Sequence, residues 1–80
     1  MEYLAQAGSR VSILREDGRR FRFHLVPPID ANVERGRLSV ASPLGKALLG
    51  RRPGEEFSYE VPRGALRATL LEVEPPGHDA

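Results

Sequence analysis

SVASPLGKALLG, residues 39 to 50, decides how this chain is read. Ser42 is of the type that caps the orphan N–H groups of a helix start, and Pro43 suits the first turn because its fixed φ is already helical. Leu44, Ala47 and Leu48 fall at i, i+3 and i+4, and Gly50 is placed to close the helix in a left-handed conformation. The stretch therefore predicts a helix of about two turns. A helix that short is marginal alone, so its apolar stripe must pack on a sheet.

Working outward, the sheet is visible as alternation. Upstream, Val11 and Ile13 alternate with Ser12, and Phe21, Phe23 and Leu25 alternate with Arg20, Arg22 and His24. Between them, Asp17-Gly18 is expected to supply the positive φ angles of a tight hairpin. Pro27-Pro28 ends the second strand, a surface loop is expected over Ile29 to Gly36, and a short apolar strand over Leu38 to Val40. Downstream, Pro53-Gly54 makes a turn, Phe57, Tyr59 and Val61 mark a fourth strand, and Pro62-Arg63-Gly64 leads into a fifth, Ala65 to Val73. In that last strand Leu66, Ala68 and Leu70 share one parity while Leu71 and Val73 take the other. This suits either burial on both faces or a bulge. The fold class is α+β, an antiparallel sheet of about five strands with one short helix on it.

Eighty residues allow one domain and leave few large apolar side chains for a ligand pocket. The expected division is a lead-in over 1–7, the domain over 8–74 and a tail over 75–80, with both ends fraying. The absence of cysteine removes disulfides and thiolate chemistry and suits a reducing cytoplasm. A formal charge of +1 argues against nucleic acid as the sole ligand, and no apolar run approaches a membrane span.

No catalytic constellation emerges. The carboxylates Asp30, Glu34, Glu55 and Glu56 sit on turns and loops with no shared apolar setting to raise a pKa. Ser42 lacks a nucleophile-elbow context, and Gly45, Gly50 and Gly54 do not form a phosphate loop. His24 and His78 do not read as a metal pair; no metal and no cofactor is expected. Arg20, Arg22 and His24 read as the solvated face of a strand, and Arg51-Arg52 as cations at a helix C-terminus. Phe21, Phe23 and Phe57 read as core.

The run GRLSVASPLGKALLGRRPGEEFSYEVPRGALRATLLEVE, with GSRVSIL and FHLVPP before it, resembles the C-terminal domain of the bacterial Gre transcript-cleavage factors over Ala7 to Glu74. Ala41 departs from the Asp or Asn common before Ser-Pro in that family. The resemblance implies an FKBP-like fold and docking onto RNA polymerase at the rim of its secondary channel, through Ser39, Ala41, Ser42, Pro43, Leu44 and Lys46. In complete Gre factors an acidic helical hairpin assists cleavage, and no segment here matches it. The implied function is polymerase binding that modulates elongation without transcript cleavage, with no small-molecule substrate and no sequence-specific nucleic-acid binding. An excised fragment of a cleavage factor and a prolyl isomerase are the alternative readings; the latter would need a deep aromatic pocket. If Ser42 acts only as a cap, Ser42→Asp is expected to leave the fold intact.

Overall fold

The computed structural model describes residues 3–77. Strands β1 (Arg10–Arg15), β2 (Arg20–Val26), β3 (Arg37–Ser39), β4 (Glu56–Val61) and β5 (Gly64–Glu74) form one sheet in the order β3-β2-β1-β5-β4, with helix α1 (Pro43–Leu48) across its inner face. Chain order explains this placement. β3 and β4 occupy opposite edges, so the segment joining them must cross the whole sheet, and α1 is the apolar part of that crossing. Leu48 is fully buried against Ile13, Leu25, Phe57 and Leu70 in one cluster.

The β1–β2 hairpin has antiparallel register, with Ile13 opposite Phe21 and Val11 opposite Phe23. Its turn differs from expectation. Only Gly18 adopts positive φ, at +86°, and Arg15 O accepts from Gly18 N at 2.9 Å, so Glu16, Asp17 and Gly18 form a three-residue loop. Asp17 braces that loop with its side chain, accepting from Arg15 Nε at 3.0 Å and from Arg19 N at 3.1 Å. These bonds, the one from Arg15 foremost, hold the Asp17 carboxyl below its ordinary value.

β2 pairs with β3 in parallel, the one departure from an antiparallel sheet. The reversal between them is made by two 3-10 turns, Pro28–Asp30 and Val33–Arg35, and by Gly36 at φ +73°. On β5 the register shifts between Ser12 and Ile13 of its partner β1. Glu72 opposes Ser12 and Leu70 opposes Ile13, leaving Leu71 as the extra residue. The bulge accounts for the parity change in the sequence, because it returns Val73 to the inner face opposite Val11.

The lead-in is held more firmly than its sequence suggests. Ala5 is buried in the core, its N–H donates to Arg51 O at 2.9 Å and its carbonyl accepts from Gly50 N at 2.8 Å. Ser9 is fully buried and bonds back to Gln6, while its carbonyl accepts from Leu25 N at 2.8 Å. Fraying is thus opposed from Ala5 onward, because the first segment closes the core beneath the C-terminal end of α1. Of the expected tail, residues 78–80 lie outside the described residues, and His78 with them.

Candidate functional site

The corner between β3 and α1 is built by a short cycle of hydrogen bonds. Ser39 O accepts the Ser42 hydroxyl proton at 2.7 Å and Ser42 N–H at 3.1 Å, and Ser42 Oγ accepts from Gly45 N at 3.0 Å. Ser39 Oγ accepts from Ala41 N at 3.0 Å, and Ser42 O accepts from Lys46 N at 2.8 Å. The expected cap is therefore present, and Ser42 is also a donor that ties the helix start to the end of β3. Gly45 completes the corner. It is buried, and a Cβ at its position would stand 2.0 Å from Ser39 O, so only glycine permits this approach.

That second bond changes the expectation for Ser42→Asp. An aspartate can still cap Gly45 N, but it has no proton for Ser39 O and directs a carboxylate at a carbonyl. Ser39 O keeps the Ser42 N–H, so the lost hydroxyl bond costs about 0.5–1.5 kcal/mol, and the repulsion between carboxylate and carbonyl adds to it, together outweighing the favourable charge at a helix start. Ser42→Asp should therefore melt below the wild type, as should Ser42→Ala. A wild-type melt for Ser42→Asp would return Ser42 to a simple cap.

The six residues singled out from the sequence fall together but face different ways. Ala41, Pro43 and Lys46 are exposed, whereas Ser39, Ser42 and Leu44 are half-buried. Ala41, Pro43 and Lys46 border an open depression of about 420 Å³ whose opposite wall is Ser58, Tyr59 and Glu60 of β4. Leu44 points to the other side, into an apolar groove of about 220 Å³ shared with Phe21, Phe23, Val33, Leu38 and Tyr59. Ser39 and Ser42 shape the corner from within.

The groove corrects the reading of Phe21 and Phe23 as core. Both face inward, as their parity requires, but they are only half-buried, stacked on each other with ring centroids 6.0 Å apart. Arg15 lies over the Phe21 ring at 4.9 Å and shields its outer edge. Phe57 is buried as expected. Sequence reading missed Tyr59 as a member of the site; its alternation with Phe57 and Val61 marks the correct face but not how much of that face α1 covers.

At the helix C-terminus, Arg51 Nε donates to Ala47 O at 2.9 Å, satisfying a last-turn carbonyl, and its guanidinium approaches Glu55 and the Phe57 ring. Among the described residues no group of three or more His, Asp or Glu side chains is arranged to hold a metal ion. The corner thus offers rigid shape, one cation and flanking apolar surface.

The family model described as "Transcription elongation factor, GreA/GreB, C-term" matches residues 4–75. The transcription elongation factor GreA of Syntrophobacter fumaroxidans is 43% identical over 58 residues, covering 72% of this chain and 37% of the relative. GreA of Thermomicrobium roseum is 41% identical over 71 residues, covering 89% and 45%. The chain therefore spans less than half the length of these curated relatives. Among solved structures, Thermus aquaticus Gfh1 superposes with a TM-score of 0.82 at 31% identity, covering 94% of this chain and 50% of that one. A GreA/GreB elongation factor from Nitrosomonas europaea gives 0.73 at 31% identity, covering 90% and 61%. A match over nearly all of the sequence, together with superposition over 94% of the chain, shows that the chain belongs to the GreA/GreB transcription elongation factor family, in its C-terminal domain.

Proposed function

We propose that this domain is a docking module for RNA polymerase, seated at the rim of the secondary channel, which modulates elongation in the cytoplasm without cleaving RNA itself. The observation that carries the reading is the braced corner. Its backbone is fixed by the Ser39–Ser42–Gly45 bonds before any partner arrives, so little ordering entropy opposes binding. Ala41, Pro43 and Lys46 form the contact surface, Leu44 anchors its apolar side, and Ser39 and Ser42 hold the shape. Family membership supports the choice of partner, since the relatives are named transcription elongation factors.

The test is a titration of the labelled 80-residue chain with bacterial core RNA polymerase, followed by competition with a full-length GreA. Saturable binding that the competitor displaces is expected, with 3′ cleavage of backtracked complexes remaining at background. Failure to bind, or binding that GreA does not displace, would overturn the docking reading. Stimulated cleavage by the chain alone would overturn the non-cleaving role.

A further inference from the structure

The outer face of the sheet carries a second feature, remote from the corner in character. Register places Arg37 of β3, His24 of β2 and Arg10 of β1 side by side in one row, with Arg22 and Arg20 following His24 along β2. Arg35 joins them from the second 3-10 turn. The result is a shallow cleft of about 340 Å³ lined by four arginines, Arg10, Arg22, Arg35 and Arg37, against two glutamates, Glu72 and Glu74, in a chain whose formal charge is only +1. Elsewhere on the surface Arg15, Arg19, Arg51 and Arg67 each lie beside a carboxylate. Among the described residues Arg20, Arg35 and Arg37 have no carboxylate within ion-pairing distance, and Arg22 has only Glu74 at 3.7 Å.

We infer that this cleft is a docking surface for the phosphodiester backbone of a nucleic-acid duplex, bound without sequence preference. Guanidinium groups match phosphate oxygens with paired donors and are weakly hydrated, so they release counterions at modest desolvation cost. Along β2 Arg20 and Arg22 stand two residues apart, about 6.8 Å, which is close to twice the ~3.4 Å rise per phosphate on one duplex strand. Phe23 and His24 border the cleft, but the Phe23 ring belongs to the inner groove, where it stacks on Phe21, so His24 is the ring that stands in the outer row. Four arginines with a single imidazole among them offer phosphate contacts rather than a run of stacking platforms, which favours a duplex over a single strand. Glu72 and Glu74 fence the cleft on the β5 side and confine the backbone to the β1–β3 half of the face. The inference is independent of the polymerase reading, because the corner contributes no residue to this cleft.

The experiment is fluorescence anisotropy of a labelled 20-base-pair DNA duplex of arbitrary sequence, titrated with the full chain at 50 and 200 mM salt. Micromolar binding is expected at low salt. Three neutralised phosphates imply a loss of roughly 40-fold over that salt range, from a log–log slope near −0.9 per phosphate. The double variant Arg22→Glu/Arg37→Glu should lose at least about ten-fold at low salt, and Glu72→Gln/Glu74→Gln should bind more tightly than the wild type. Thermal melts of each variant should match the wild type, since Arg22, Arg37 and Glu72 are exposed and half-buried Glu74 gives up only a 3.7 Å ion pair of the kind that contributes little. Arg63→Glu, in the β4–β5 turn, changes the net charge without touching the cleft and should retain most of the affinity. No binding at 50 mM salt, or an equal loss for Arg63→Glu and an Arg22→Glu/Arg37→Glu protein of normal melt, would overturn the inference. So would a preference for an acidic peptide of equal charge over the duplex.

Discussion

Gly45→Ala should destabilise the domain by about 3 kcal/mol, although alanine is the better helix former by roughly 1 kcal/mol. The added Cβ would stand 2.0 Å from Ser39 O and 3.0 Å from Ser39 C, both backbone atoms that no side-chain rotation can move. Relief requires α1 to shift away from β3, which breaks the Ser42 bonds on either side of the contact and lifts Leu48 from the core. Overpacking against a fixed neighbour costs about 1–3 kcal/mol, and losing the cap adds roughly 1 kcal/mol. In a domain of this size that lowers the melting temperature by roughly 12–24 °C. A melt unchanged or raised by Gly45→Ala would mean that the helix does not approach β3 as described.

Leu48→Ala is the second large effect. The side chain is fully buried between the sheet and the segment that carries Ala5. Truncating it should cost about 2–5 kcal/mol, from lost transfer energy and the cavity left behind. A domain this small has little stability to lose, so the variant should be substantially unfolded near 40 °C. Leu49→Ala is the internal control. Leu49 is 41% exposed, and its truncation should cost under about 1 kcal/mol. Equal denaturant midpoints for the two variants would show that α1 does not bury the face assigned to it.

What the sequence revealed was what neighbouring residues decide among themselves. Both hairpins, the proline stop after Val26, and α1 with its Ser42 cap and Gly50 terminus follow from local chemistry and appear where the residue types put them. The bulge was visible as a parity change, but placing it at Leu71 needs the partner strand, because only opposition to Ser12 and Ile13 identifies the extra residue. The burial of Ala5 depends on contacts with Gly50 and Arg51, more than forty residues away. Phe21 and Phe23 were assigned to the correct face but not to an open groove. Six residues of helix span about 9 Å, whereas five strands at about 4.8 Å spacing make a wider sheet than that, so part of the inner face stays uncovered. At the corner, the acceptor role of Ser42 was legible as a cap. Its donor role was not, because Ser39 O becomes its partner only once β3 has paired with β2. Arg35 and Arg37 likewise join Arg22 only through the parallel β2–β3 pairing, which alternation alone does not disclose.

The central claim, that a pre-formed corner seats the polymerase, is tested most directly by Ala41→Arg. Ala41 is exposed, and its only side-chain-mediated bond is made by its backbone N–H to Ser39 Oγ, so a larger side chain leaves the brace intact. A guanidinium in place of a methyl group would have to be desolvated against a surface fitted to a small residue. The measurement pairs a thermal melt with titration of core RNA polymerase. The account predicts a wild-type melt and affinity at least about ten-fold weaker; unchanged affinity with a wild-type melt would contradict it.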